Sequence, residues 1–325
     1  MPRRRKPWQN SHVYISVMRR TVLGTGIFNL DTIVVRDYPA GPAQQRTYTE
    51  KRVLEEIGGT CGNVVTMLSH LGEQVFPVAR FDDGPEGLKL TEDLRSYGCD
   101  CRFVSNTTDG GTTTLLCTHK LDRDGNHVLS FRTGSPGGSH FPRRKFIRCR
   151  DEAPAFLESL DFTPDVFFFD DPAAGHRVLA KGLREKGTLV YFEPASVKEN
   201  ADLQSVEYSD IVKFSNQNIP DVSFTEEFRD KLFIQTMGSE GLRFNLRGQG
   251  WVTLAPVPCD KVADWEGAGD WTSSMFIHGL CQRGILSVRD MSEESVREVL
   301  QEAQKVASRS VGYLGSKGII HAGEI

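Results

Sequence analysis

No apolar run in this 325-residue chain approaches the roughly 18–20 residues that a membrane span needs. The basic N-terminus is followed by no apolar segment of the kind a secretory signal carries. The seven cysteines are odd in number and scattered. Cys99 and Cys101 sit too close for an ordinary disulfide, and no CxxC pair occurs, so neither a disulfide scaffold nor a zinc ribbon is indicated. These absences point to a reducing, cytoplasmic setting with no membrane partner. Walker A, H-E-x-x-H and G-x-S-x-G patterns are also missing, which removes P-loop NTPases, zincins and α/β-hydrolases. Gly24-Thr25-Gly26 follows an apolar stretch, but Asn29 stands where a dinucleotide fingerprint needs its third glycine. The net charge of −4 gives no electrostatic footprint for nucleic acid.

A hydrophobic share of 38% is enough for one large core, or a core with an appended lobe. Residues 1–17, with Pro2-Arg3-Arg4-Arg5-Lys6-Pro7, read as a disordered basic arm or an over-extended start with Met18 as the true one. A contact arm for nucleic acid or an anionic surface is the alternative. From Met18 to Ile325 the chain reads as one α/β domain, with strand-rich insertions at about 32–56 and 111–133.

The middle of the chain alternates strand and helix. Val166–Phe169, Leu189–Phe192, Ile211–Phe214 and Leu232–Gln235 read as buried strands at near-regular spacing. His176–Lys186 reads as a helix closed by Gly187. This rhythm suits strand–crossover–strand units in a mostly parallel sheet flanked by helices. Ligands of such sheets bind beyond the carboxyl ends of the strands, where Asp170, Glu193, Asn216 and Thr236 fall. Thr32–Glu56 and Thr112–Phe131 break the rhythm as hairpins, the first turning at Pro39–Pro42 and the second at Asp122–Asn126. They could pair as a small sheet over a site, or be surface hairpins without a role. A helix is expected from about Gly62, with Val64, Leu68 and Leu71 on one face, and another from about Ser292.

The most informative stretch is Asp264-Trp265-Glu266-Gly267-Ala268-Gly269-Asp270. A Gly-Ala-Gly turn at a helix start leaves backbone N–H groups unpaired, and the helix dipole adds positive charge there. Together they make an anion cradle. Asp270 closes the turn as a proton acceptor, which is what phosphoryl transfer to a hydroxyl needs. Asn29 and Asp31, two residues apart at a strand end, suit the vicinal hydroxyls of a sugar. Gly58-Gly59 lets backbone approach a ligand, with Asn63 in the first helical turn beyond it. Thr236-x-Gly238-x-x-Gly241 follows an apolar strand and can place a hydroxyl and backbone near a nucleotide. His119 and His127 flank a hairpin turn and read as ordinary strand residues.

In order, these pieces resemble the ribokinase-like sugar kinases, the PfkB family, over about residues 20–315. The resemblance rests on Gly26-x-x-Asn29-x-Asp31, Gly58-Gly59-x-x-Gly62-Asn63, Leu71-Gly72, Asp83, Gly87, Tyr97–Asp100, Thr236-x-Gly238-x-x-Gly241 and the Asp264–Asp270 block. It implies a large α/β domain with a small β lid formed by the two insertions. It implies transfer of the γ-phosphoryl group from ATP with Mg²⁺ to a hydroxyl of a sugar-like acceptor. In the family pattern Asp270 is the catalytic base, and Gly267, Ala268 and Gly269 form the anion hole. Asn29, Asp31, Gly59 and Asn63 hold the acceptor, while Asn216, Thr236, Gly238 and Gly241 lie on the cofactor side. Dimerisation through exposed lid edges is one way to cover them.

The chain departs from the pattern. Trp265, Glu266 and Trp271 stand where family members carry small or neutral residues. The family's Asn-x-x-Glu falls at Asn216-Gln217-Asn218-Ile219, without its glutamate, and Asp-Pro-Asn is Glu193-Pro194-Ala195. Glu193 and Glu266 are the candidate replacements, and the metal ligands stay open. A nucleoside kinase and a ligand-binding homologue with little or no kinase activity are the competing readings.

Overall fold

The computed structural model describes residues 19–37, 49–108, 114–121, 127–133 and 152–325. The arm expected over 1–17 and the turns expected at Pro39–Pro42 and Asp122–Asn126 lie outside the described residues.

The strands are β1 (Thr21–Thr25), β2 (Asn29–Asp37), β3 (Thr49–Gly58), β4 (Gln74–Pro77), β5 (Ala79–Asp82), β6 (Val104–Thr107), β7 (Leu115–Leu121) and β8 (His127–Thr133), then β9 (Val166–Phe169), β10 (Leu189–Phe192), β11 (Ile211–Ser215), β12 (Leu232–Thr236), β13 (Leu242–Leu246) and β14 (Trp251–Leu254). The helices are α1 (Thr60–His70), α2 (Pro85–Ser96), α3 (Glu152–Ser159), α4 (Ala174–Glu185), α5 (Asn200–Glu207), α6 (Ala268–Arg283), α7 (Glu293–Ser310) and α8 (Gly318–His321).

An eight-stranded sheet runs β14-β13-β12-β11-β10-β9-β1-β4. From β12 to β4 the neighbours are parallel, and β13 and β14 add an antiparallel edge. The apolar runs predicted from sequence are these central strands, and their uninterrupted hydrophobicity has a structural cause. Val166 and Phe168 pack on the face covered by α1, α2, α6 and α7, while Phe167 and Phe169 pack on the face covered by α3, α4 and α5. Both faces are buried, so both alternating sets must be apolar. Phe169 stacks on Phe167 and on Phe192, with centroids 5.4 and 4.5 Å apart.

The two strand-rich insertions do pair. They form a four-stranded sheet β3-β2-β7-β8, with β2 and β7 parallel at its centre. Asn29 and Asp31 open β2, and β3 ends at Gly58, so the sheet springs from the strand-end region of the large one. The helix expected from Gly62 starts at Thr60, because Gly59, with φ 80, ends β3 and caps α1. The short parallel pair β5–β6 and the one-turn α8 have no counterpart in the sequence-based expectation.

Replacing Phe169 by Ala removes a fully buried ring from two stacks and is expected to cost about 3–5 kcal/mol. Urea unfolding checks this, and a loss under ~1 kcal/mol would mean that the site collapses around the cavity.

Candidate active site

The site is built at the start of α6. Gly267 takes a left-handed φ of 78 as the N-cap residue. A Cβ there would lie 2.4 Å from the Cβ of Ser316, so the turn needs glycine on two counts. Asp264 is buried beneath it and accepts the N–H groups of Glu266 (3.0 Å) and Gly315 (3.1 Å). Its two oxygens thus hold the loop before the helix against the C-terminal segment. Ala268, Gly269 and Asp270 form the first turn, whose N–H groups have no intrahelical acceptor. Trp271 does not crowd this cradle. It is fully buried among Met67, Ala307 and Ile319, and its indole N–H donates to the Ser316 carbonyl at 2.8 Å.

Asp270 is joined to Asn63 across the gap between α6 and α1. The Asn63 Nδ2 donates to Asp270 Oδ2 at 2.6 Å. The Asn63 Oδ1 in turn accepts from Lys317 Nζ at 2.6 Å and from Ser316 Oγ at 2.9 Å. A lysine ammonium only donates, so Lys317 fixes which way the amide points. Lys317 has no solvent exposure and also donates to the Ile57 carbonyl at 2.6 Å. Sequence reasoning passed over it, since a lysine in a Gly- and Ser-rich segment reads as surface.

Burial and the neighbouring Glu193 carboxylate push the Asp270 pKa up to about 7, against the opposing pull of Lys213 and Asn63. Lys213 is the second residue missed. It lies on β11, 2% exposed, and pairs with Glu193 at the end of β10. Its Nζ also donates to the Gly269 carbonyl at 2.8 Å. The other Glu193 oxygen accepts from Ser273 Oγ at 2.5 Å. Both Glu193 oxygens are therefore engaged by protein donors, one in an ion pair and one in a hydrogen bond. Asp170 is similarly spent on structure, accepting the N–H groups of Ile27 (2.8 Å) and Cys61 (2.9 Å).

A second polar group lies where β2 meets β3 and β7. Asn29 Nδ2 donates to Asp31 Oδ1. A Cβ on Gly59 would lie 2.5 Å from Asn29 Oδ1, and one on Gly58 would fall on the Asp31 carboxylate, 1.7 Å from Oδ2. The paired glycines thus make room for the two side chains. His119 on β7 is no ordinary strand residue. Its Nε2 lies 3.4 Å from Asp31 Oδ1 and 3.2 Å from Cys117 Sγ, and its Nδ1 is 3.8 Å from Glu266 Oε1. Burial opposes its charge, yet Asp31 and Cys117 outweigh that and push its pKa up to about 10. Alternation showed that His119 has a face, but not what that face meets.

Asn216, Thr236, Gly238 and Gly241 gather at the ends of β11 and β12. The Asn216 N–H donates to the Thr236 carbonyl at 2.9 Å, and Met237 N–H to the Gly241 carbonyl at 2.8 Å. Gly238 and Gly241 both take positive φ, of 56 and 94. The bond from Lys213 to Gly269 connects this strand-end group to the α6 turn.

No protein-family model matches the chain, and no curated protein matches it in sequence. Solved structures do match in fold. Arabidopsis thaliana ribokinase complexed with ribose and ATP has a TM-score of 0.67 at 18% identity, covering 92% of this chain and 95% of that one. Vibrio cholerae fructokinase with bound fructose, ADP and calcium ion has 0.64 at 17%, covering 91% and 94%. Burkholderia thailandensis nucleoside kinase in complex with inosine has 0.64 at 15%, covering 91% and 92%. The fold is therefore ribokinase-like: a large, mostly parallel sheet between helices, with a small separate sheet.

Two outcomes test the site. Asp270 binds its proton more tightly when folded, so folding loses stability as pH rises from the ordinary carboxylate range toward about 7. Asp270→Asn escapes that loss, so its stability relative to the parent should grow between pH 4 and 8 in thermal unfolding. A constant difference would disprove the raised pKa. Lys317→Met leaves Asn63 Oδ1 and the Ile57 carbonyl short of a buried donor and should destabilise by about 3–5 kcal/mol in denaturant unfolding.

Proposed function

We propose that this protein is an ATP-dependent phosphotransferase that moves the γ-phosphoryl group to a hydroxyl of a sugar or sugar derivative. The carrying observation is Asp270 in the first turn of α6, its pKa raised to about 7, next to the helix-start N–H groups. A base with a pKa near the working pH is ionised often enough to act and basic enough to take a proton.

In this reading the acceptor hydroxyl passes its proton to Asp270 as its oxygen attacks the γ-phosphorus. The leaving oxygen stays on ADP. The N–H groups of the Gly267–Gly269 turn meet the charge that spreads over the transferring group. Asn63 aims the Asp270 carboxylate, and Asn29 and Asp31 bind neighbouring acceptor hydroxyls beside Gly59. Asn216, Thr236, Gly238 and Gly241 take the nucleotide. Magnesium arrives with ATP as part of the substrate, held mainly by phosphates and water. Glu193 is held in place by Lys213 and Ser273 and keeps a lone pair on each oxygen beside the cradle. Lys213 ties that carboxylate to the Gly269 carbonyl in the first turn of α6. The packing of Trp271 into the core supports an open anion hole over a binding-only protein. Fold neighbours solved with ribose and ATP, with fructose and ADP, and with inosine support this substrate class.

Purified protein with ATP–Mg²⁺ should turn over one member of a panel of hexoses, pentoses, sugar acids and nucleosides. Asp270→Asn should lower kcat by about 10²–10⁴-fold while remaining folded. The parent's kcat/KM should rise with pH to a plateau above about 7. Full turnover by Asp270→Asn would remove Asp270 as the base.

A further inference from the structure

We propose that Asp31, Cys117 and His119 form a binding site for a borderline-soft divalent cation, with zinc as the best chemical match. One carboxylate oxygen, the thiol sulfur and one imidazole nitrogen all lie within 4.8 Å of one another. The sheet dictates this convergence. Cys117 and His119 are two apart on β7 and so share a face, and Asp31 is the register partner of Cys117 on β2. Sulfur, nitrogen and oxygen donors in one set favour zinc over magnesium or calcium, which prefer oxygen alone.

The surroundings are those of a supported ligand set. Metal-binding histidines commonly give their second ring nitrogen to a carboxylate. Here Nε2 faces Asp31 and Cys117, and Nδ1 lies 3.8 Å from Glu266 Oε1. Asp31 is steadied by Asn29 and by the space over Gly58. Glu266 stands within ion-pair range of that second nitrogen, 3.8 Å away, and a small movement of its side chain would bring it to hydrogen-bond distance. Binding displaces the Cys117 thiol proton and the second ring proton of a charged His119, and both go to solvent. Three protein ligands leave one tetrahedral position open.

A consequence rests on the kinase reading above. A cation held by Asp31 takes that carboxylate from the acceptor, so zinc should raise the acceptor KM and leave the ATP KM unchanged.

Chelator-treated full-length protein titrated with Co²⁺ tests the site without needing activity. One equivalent should bind with a sulfur-to-cobalt charge-transfer band that Zn²⁺ abolishes. Cys117→Ser should lose the band, whereas Cys259→Ser, at the exposed thiol, should keep it. His119→Gln should weaken binding by more than tenfold, and Glu266→Gln, at a half-exposed position where folding is not at stake, by about 10–100-fold. A band that survives Cys117→Ser, or affinity unmoved by Glu266→Gln, would overturn the proposal. Cobalt binding without turnover on any acceptor would leave the cation site standing and remove the kinase reading. Turnover without cobalt binding would do the reverse.

Discussion

Two buried lysines hold an acidic pocket together, and the geometry of the candidate site depends on them. Lys213 is 2% exposed and Lys317 is fully buried. Moving an ammonium group out of water costs several kcal/mol unless its donors are answered, so each position is viable only with its partners in place. Lys213 requires Glu193 on β10 and the Gly269 carbonyl on α6. Lys317 requires the Ile57 carbonyl on β3 and Asn63 on α1. The two therefore clamp the ends of the central strands, the start of α6, the root of the small sheet and the C-terminal segment. A loosened lysine would leave a charge unpaired, and that penalty is the restoring force on the site.

The same arrangement sets the electrostatics. Asp270 and Glu193 are like charges close together in a partly desolvated pocket, and both cannot be freely ionised. Lys213 pairs with Glu193 and also opposes the shift at Asp270, but burial and the Glu193 charge outweigh it and Asp270 carries the raised pKa. Glu56 shows the opposite balance. Burial alone would raise its pKa, but Lys317, His321 and Tyr97 together hold it below the ordinary range. One face of Lys317 thus stabilises an ionised Glu56 while its other donor orients the amide that touches Asp270. The pocket separates its carboxylates by environment, which is how one site can hold a permanent anion and a titratable base.

The parts of the fold legible in the sequence were those with a strong period. β9 through β12 show as apolar runs because both of their faces are covered, and Gly59 and Gly267 show because their backbone angles and close neighbours allow little else. Pairing of the two insertions was legible as a possibility, since strands without an intervening helix need a partner. The missed residues share a different property. Lys213 interrupts an apolar strand and Lys317 follows a Gly-Ser turn, and each acquires meaning only from groups far away in sequence. Lys317 and Asn63 are 254 residues apart. His119 was assigned to a strand correctly, but its value comes from β2 alongside and from the loop before α6, neither of which a hairpin pattern predicts.

Glu266 shows how an anion beside a helix start can be physically consistent. Beside a phosphate cradle, a carboxylate repels the ligand unless it is turned away or neutralised. In this chain the carboxylate has a cationic neighbour, although its charge is still felt by Asp270. Its N–H is held by Asp264, which fixes the loop, and its carboxylate extends toward His119, whose charge is favoured by Asp31. The glutamate at 266 and the histidine at 119 therefore belong together, although one lies in the loop before α6 and the other on β7 of the small sheet. A neutral residue at 266 would ease the anion cradle but strip His119 of one of its carboxylate neighbours. That trade couples the small sheet to the loop before α6 through charge as well as through shape.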